Sequence, residues 1–351
     1  MTLSQNHPFV DGRTSDSALI QALTGRTPSH HPVWFMRQAG RSLPEYLKLR
    51  EGVSMLDSCL DPAMASEITL QPVRRHKVDA GIFFSDIVIP LRLAGVGVDI
   101  VPGVGPVLDK AIRTAEDVDN LPELTDESLD PIREAVALTV AELGSTPLIG
   151  FAGAPFTVAA YMVEGKPSRD HLGPRTMMHA EPEVWDKLMN WAADASGKFL
   201  RAQVEAGASA AQLFDSWAGS LSLPDYQKFV APYSSRALDF VRDTGVPLIH
   251  FGTGTGELLT AMRDSGVDTV GVDYRIPLET AIERLGQSVS VQGNIDPALL
   301  SAPWEVLEAH VRQVVASGAK ARGHVVNLGH GVPPTTDPTV LTRVVELIHS
   351  L

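Results

Sequence analysis

VWFMRQAGR, residues 33–41, sets a short apolar, β-prone run directly against a polar step at Arg37 and Gln38. The same pattern returns along the chain. AGIFF (80–84) leads into Ser85 and Asp86, and LIGF (148–151) into Ala152, Gly153 and Ala154. AAQLF (210–214) leads into Asp215, Ser216 and Trp217, and PLIHF (247–251) into GTGTG. TVGV (269–272) leads into Asp273, Tyr274 and Arg275, VSVQ (289–292) into Gly293, Asn294 and Asp296, and HVVNL (324–328) into Gly329, His330 and Gly331. Short β-branched runs bounded by turn residues read as strands. Between most of them lie stretches of helical period, such as 183–207, 222–245 and 303–318. Gly207, Gly245 and Gly318 stand where a helix C′ glycine is expected, and Asp337-Pro338 reads as an N-cap and first turn.

Strands alternating with helices predict a parallel βα array, and eight is the number that closes a (β/α)₈ TIM-type barrel. An open doubly wound sheet is the other arrangement that strand counting allows. The segment IVIPLRLAGVGVDIVPGVGPVLD (87–109) breaks the alternation and predicts a β-hairpin and loop insertion after the second strand. No linker or repeat divides the chain. The expected organisation is a flexible segment over 1–17 and one barrel domain over 18–351.

Composition narrows the function classes. The chain has 351 residues and a net charge of −13, which disfavours nucleic acid and anionic membranes as partners. Any anionic ligand must then be held by a local group of cations. The single cysteine, Cys59, allows no internal disulfide and no multi-thiolate metal site, and reads as a buried small hydrophobe. No apolar run is long enough for a membrane span and no basic-then-apolar leader opens the sequence, so a cytoplasmic protein is expected.

In a βα barrel all strand ends point to one face, where active sites form. Polar turns explain the glycines and Asn294 well, but Arg37, Asp86 and His330 less well. Arg37, Arg41, Lys48 and Arg50 gather with one acid, Glu45, in an otherwise acidic chain. Guanidinium groups grip carboxylates or phosphates in two-point fashion. A polyanionic ligand suits Arg37 and Arg41; for Lys48 and Arg50 a solvated helix face is an equal reading. Asp86, after an apolar strand, is half-buried and needs donors, and its readings are a ligand contact or a cap. His330 lies between two glycines that permit close approach of a ligand. GTGTG (252–256) lacks the last glycine of a dinucleotide loop, so a tight turn is the better account. Asp273, Tyr274 and Arg275 fit a catalytic group or a strand-end salt bridge equally. No H-E-x-x-H motif or close His/Cys cluster supports a metal.

Taken together, PVWFMRQAGRSLPEY (32–46) and GFAGAPFTVAAYMVEG (150–165), followed in order by FDSWAG, GVDYR, GNIDP and NLGHGV, resemble the uroporphyrinogen decarboxylase family from about residue 18 onward. The resemblance implies a (β/α)₈ barrel, a homodimer and no cofactor. It implies removal of four acetate carboxylates as CO₂ from uroporphyrinogen III, an octa-carboxylate tetrapyrrole, to give coproporphyrinogen III in haem synthesis. Carried over by position, it implies substrate contacts from Arg37, Gln38, Arg41, Arg50, Asp86, Tyr161, Ser216 and His330, with Asp86, Arg37, His330 and Tyr161 as the catalytic set and no metal. Two other readings stand beside it. One is a corrinoid-dependent barrel methyltransferase, which would need zinc ligands that a lone Cys59 does not supply. The other is a non-catalytic tetrapyrrole-binding protein, which would need the arginines but not Asp86.

Overall fold

The computed structural model of the chain describes residues 3–351. Seven strands form one parallel sheet in the order β1, β4, β5, β6, β7, β8, β9. They are β1 (Gly81–Ile82), β4 (Leu148–Gly153), β5 (Ala210–Asp215), β6 (Leu248–Gly252), β7 (Thr269–Gly271), β8 (Ser290–Gln292) and β9 (His324–Val325). Residues 32–36 fill the gap between the two edges. Val33 pairs in parallel with Val326. The Val326 N–H donates to the Pro32 carbonyl at 2.8 Å, and on the other flank the Asp79 N–H donates to the Val33 carbonyl at 2.8 Å. This segment is the eighth stave, so the sheet closes on itself and the open doubly wound alternative is ruled out.

The interior is filled. Trp34, Gln212 and Gln292 are fully buried. The Trp34 indole N–H donates to Gln292 Oε1 at 3.1 Å, and Gln292 Nε2 donates to Gln212 Oε1 at 3.0 Å. These residues sit on strands that are not neighbours in the sheet, so the chain of bonds crosses the barrel. A buried amide left unpaired costs about 1–3 kcal/mol, so this network fixes strand register as well as filling space.

The expected insertion is present as an antiparallel hairpin between β1 and β4, made by β2 (Val98–Val101) and β3 (Gly105–Leu108). Gly103 at its tip has φ 77°, which a side chain would resist. The helix expected over 183–207 runs over Pro182–Ala206 and stops at Gly207, whose φ is 134°. The stretch 222–245 is not one helix. It breaks at Val230 into Leu223–Phe229 and Ala231–Arg242. Pro232 lacks the N–H that would continue the first helix, and its ring excludes the carbonyl one turn back.

Two expectations need correction. Residues 3–17 are not a loose segment. Leu3 and His7 are buried, His7 Nε2 lies 2.7 Å from the Val204 carbonyl, and Thr14 Oγ1 lies 2.8 Å from Ser209 Oγ. Ser209 immediately precedes β5, so this segment covers the N-terminal end of the barrel, opposite the mouth. Short polar sequences give no periodicity by which such tertiary anchoring is visible. Gly318 is not a C′ residue either: it is the last residue of the helix Trp304–Gly318. A Cβ there would overlap the ring of buried His324, whose Nε2 lies 2.6 Å from the Gly293 carbonyl. The glycine serves contact between helix and strand rather than chain reversal. Gly318→Ala is therefore expected to destabilise the fold by about 1–3 kcal/mol through overpacking, read as a lower urea midpoint.

Candidate active site at the barrel mouth

Every polar step singled out above follows the C-terminal end of its strand, so closure brings them to one face. Arg37 leaves the first stave with φ 60°, an unusual backbone for a residue with a side chain. Such a conformation costs on the order of 1 kcal/mol and persists only where surroundings impose it. Its surroundings do. The Met36 N–H donates to Asn327 Oδ1 at 3.0 Å, and the Val332 N–H donates to the Met36 carbonyl at 2.8 Å. The 326–332 loop thus grips the residue before Arg37. Gly331 faces the arginine stem: a Cβ on it would lie 2.5 Å from Arg37 Cδ. The loop glycine anticipated for ligand access is in fact what lets the guanidinium cross to the mouth.

Arg37 and Arg41 are both exposed, and their side chains form no hydrogen bond or ion pair with any described residue. The other arginines of this cation group behave differently. Arg50 is committed inward, donating to Ser58 Oγ at 2.9 Å, to the Tyr46 hydroxyl at 2.7 Å and to the Val53 carbonyl at 2.9 Å. Glu45, the lone acid, is held by Arg75 in a two-point pair at 2.6 and 2.7 Å. No acid in the segment is left to neutralise Arg37 and Arg41. Gln38 is fully buried; its Oε1 accepts from the Phe35 N–H and its Nε2 donates to the Ala80 carbonyl, both at 3.0 Å. It stitches the first stave to the start of β1.

Asp86 follows β1 and is half-buried. Its Oδ1 accepts the Val88 N–H at 3.1 Å. Burial pushes its carboxyl pKa up, while the Val88 N–H, the Arg37 charge and the Ile87 N–H hold it back. Tyr161, on the helix Pro155–Glu164 after β4, feels both neighbours: burial first, then the Asp86 charge, push its hydroxyl up to about 12, with Arg37 opposing. His330 is exposed, yet the surrounding walls and then the Arg37 and Arg275 charges lower its pKa, with Asp273 opposing. A group lowered from 6.5 is mainly neutral at pH 7. Arg37, Asp86, Tyr161 and His330 therefore share one electrostatic neighbourhood.

Ser216 lies half-buried at the end of β5, and its carbonyl accepts the Thr253 hydroxyl. Its neighbours carry structure that residue types alone did not reveal. Trp217 stacks on Tyr161 with ring centres 3.8 Å apart and on His171 at 4.3 Å. Fully buried Asp215 accepts the Thr157 hydroxyl at 2.8 Å, and Thr157 in turn accepts the Trp217 N–H at 3.3 Å. Buried His250 approaches the same carboxylate at 3.6 Å. This relay sets the aromatic wall in which Tyr161 stands. The buried Asp215 was the available signal, since a fully enclosed carboxylate must hold something in place.

Asp273 accepts the Gly254 N–H at 2.6 Å and pairs with Arg275 at 2.6 Å, so GTGTG is a braced turn. Cys59 is buried, and its enclosure, with Asp86 nearby, raises its thiol pKa well above the ordinary value.

The family model described as "Uroporphyrinogen decarboxylase (URO-D)" matches residues 14–351. A protein of Arthrobacter sp. (strain FB24) named "Uroporphyrinogen decarboxylase" is 78% identical over 342 residues, covering 97% of this chain and 99% of that one. One of the same name from Leifsonia xyli subsp. xyli (strain CTCB07) is 60% identical over 368 residues, covering 99% and 98%. Among solved structures, a methyltransferase from Methanosarcina mazei superposes with a TM-score of 0.80 at 18% identity over 96% of this chain and 98% of that one, which is a likeness of fold.

Gly331→Ala is expected to displace Arg37 without unfolding the barrel. A misplacement of this kind costs on the order of 10²-fold in kcat/KM, measured by steady-state kinetics alongside an unchanged far-UV spectrum.

Proposed function

The chain belongs to the uroporphyrinogen decarboxylase family, and from that premise we infer how its barrel mouth converts uroporphyrinogen III to coproporphyrinogen III with loss of four CO₂. The observation that carries the reading is the Arg37 guanidinium, which forms no hydrogen bond or ion pair with a described residue, set beside the half-buried Asp86 carboxylate, with exposed Arg41 four residues further on. An octa-carboxylate macrocycle presents acids at its rim and four N–H donors at its centre. Arg37 and Arg41 take rim carboxylates, which meet no competing acid there. Asp86 takes the central pyrrole N–H groups.

Each decarboxylation begins with a proton added to the pyrrole α-carbon adjacent to the ring carbon that bears the acetate arm. The ring becomes cationic and serves as electron sink. The bond from the arm's methylene to its carboxylate then breaks, CO₂ leaves, and its electron pair restores the ring through an exocyclic double bond. A second proton on that methylene carbon gives the methyl group, and loss of the ring-carbon proton restores the aromatic pyrrole. Asp86 stabilises the cation by a fixed negative charge that is already in place before the reaction. Losing one such preorganised group costs about 2.7–4 kcal/mol.

Tyr161, Ser216 and neutral His330 supply hydrogen bonds to the remaining arms. Gln38 and Arg50, whose polar atoms are engaged within the protein, act as positioning residues. The net charge of −13 supports a protein that binds neither nucleic acid nor anionic membrane, and no helix among the described residues is long and apolar enough to cross one. Family membership supports a homodimer, the cytoplasm as its compartment, and turnover without a cofactor.

Anaerobic incubation of the purified protein with uroporphyrinogen III, with chromatography of the oxidised products, is expected to give coproporphyrin; unchanged uroporphyrin would refute the activity. Asp86→Asn is expected to keep the fold and lose on the order of 10²–10³-fold in kcat. The pH profile adds an independent check. Asp86 is raised, so its charge is lost at a higher pH than an ordinary aspartate of about 3.9. Activity should fall as pH drops through that raised value. A profile flat down to the ordinary carboxylate range would remove Asp86 from the chemistry.

A further inference from the structure

The opposite end of the barrel holds a second cluster of chemically capable side chains. His30, Asp79 and His349 come from three distant segments, and their candidate ligand atoms all lie within 4.8 Å of one another. His30 Nε2 is 2.7 Å from Asp79 Oδ1, and His349 Nε2 is 2.9 Å from Asp79 Oδ2. The two imidazoles meet edge to face with centres 4.9 Å apart. Both therefore present the same nitrogen to one carboxylate. No sequence motif marks the site, because residues 30, 79 and 349 become neighbours only when the barrel closes.

We propose that His30, Asp79 and His349 form a surface site for a divalent transition-metal ion of the zinc type, which ties the C-terminal helix to the closing seam of the barrel. Two imidazoles and a carboxylate are a donor set that zinc takes with one further position left to water. Bonds of about 2.0–2.1 Å to zinc place ligand atoms roughly 3.3 Å apart in a tetrahedron. The present hydrogen-bonded spacings of 2.7 and 2.9 Å need to open by only about half an ångström.

The outer contacts suit this role as well. His30 Nδ1 lies 3.0 Å from Ser29 Oγ, so the proton that leaves Nε2 has an acceptor when it moves to Nδ1. Asp79 Oδ2 accepts the Val33 N–H at 2.8 Å, and the Asp79 N–H donates to the Val33 carbonyl, which fixes the carboxylate on the seam itself. Side-chain exposures of 37% for His30, 14% for Asp79 and 30% for His349 leave an entry path from solvent. The protein's negative charge favours cation approach. His349 belongs to the last helix, Pro338–His349, which also rests on the helix Pro62–His76 through His76 Nδ1 and Thr342 Oγ1 at 2.8 Å. Metal binding would join this helix, the approach to the first stave and the approach to β1 at one point. It lies at the base of the strands, so decarboxylation at the mouth does not depend on it.

The test is Co²⁺ and Zn²⁺ titration of the full, chelator-treated chain. Calorimetry gives stoichiometry, and the visible absorption of bound Co²⁺ reports its geometry. The expected result is one ion per chain with tetrahedral Co²⁺ bands, together with a Zn²⁺-dependent rise in melting temperature. His349→Gln and His30→Gln should each raise Kd at least about tenfold and abolish that rise, while leaving decarboxylase turnover in metal-free buffer unchanged. His330→Gln, at the mouth, should bind Co²⁺ as the unaltered protein does. Absence of Co²⁺ binding up to millimolar concentration would overturn the proposal. So would unchanged affinity in His349→Gln and His30→Gln, or loss of binding in His330→Gln.

Discussion

An arginine that forms no ion pair with a described residue, held near a carboxylate that is short of solvent, is the constraint on which the rest of this mouth depends. Arg37 has every reason to pair with an acid in a protein of net charge −13, and it does not. Its backbone is fixed at φ 60° by the 326–332 loop, and the stem passes over a glycine that cannot push back. Glu45, the acid nearest in sequence, is occupied by Arg75. The protein thus spends local backbone strain to keep a positive charge available at the site where Asp86 keeps a negative one. A guanidinium and a carboxylate that feel each other's charge without a hydrogen bond between them suit a ligand that carries acids outside and N–H donors inside.

The barrel makes this arrangement possible through its seam. Residues 32–36 complete the sheet between β9 and β1, so Arg37, Asp86 and His330 emerge from three adjacent staves. Tyr161 and Ser216 arrive from β4 and β5, the next two strands in the order. Behind them, the Asp215–Thr157–Trp217 relay fixes the aromatic wall, and the Trp34–Gln292–Gln212 chain fixes register across the interior. Buried polar groups of this kind are costly when unpaired, and each bond in these two chains resists slippage of the strands that carry it, while Gln212 Nε2 and Asp215 Oδ2 keep no hydrogen-bond partner. Positioning at the mouth is inherited from the barrel's interior.

Much of this was legible in the order of residue types. Apolar runs ending in polar residues mark strands and strand ends alike, so the staves, the hairpin insertion and the mouth residues Arg37, Asp86 and His330 could all be read from one pattern. Side-chain partnership could not. Arg50 and Gln38 look like ligand contacts in sequence, yet both direct their polar atoms into the protein. Gly318 looks like a helix stop and is a contact with His324. The anchoring of residues 3–17 rests on His7 and Thr14 meeting positions about 195 residues away, a separation over which no local periodicity carries information. Fold-level likeness is equally limited: a methyltransferase shares the barrel at 18% identity, and only the residues at the mouth distinguish the chemistry.

The most direct test of the account is a crystal structure of the protein with the reduced product, coproporphyrinogen, bound under anaerobic conditions. The account predicts the macrocycle at the C-terminal mouth, its pyrrole N–H groups within hydrogen-bond distance of the Asp86 carboxylate and its propionates on Arg37 and Arg41. A macrocycle seated elsewhere, or one at the mouth with Asp86 turned away from its centre, would contradict it.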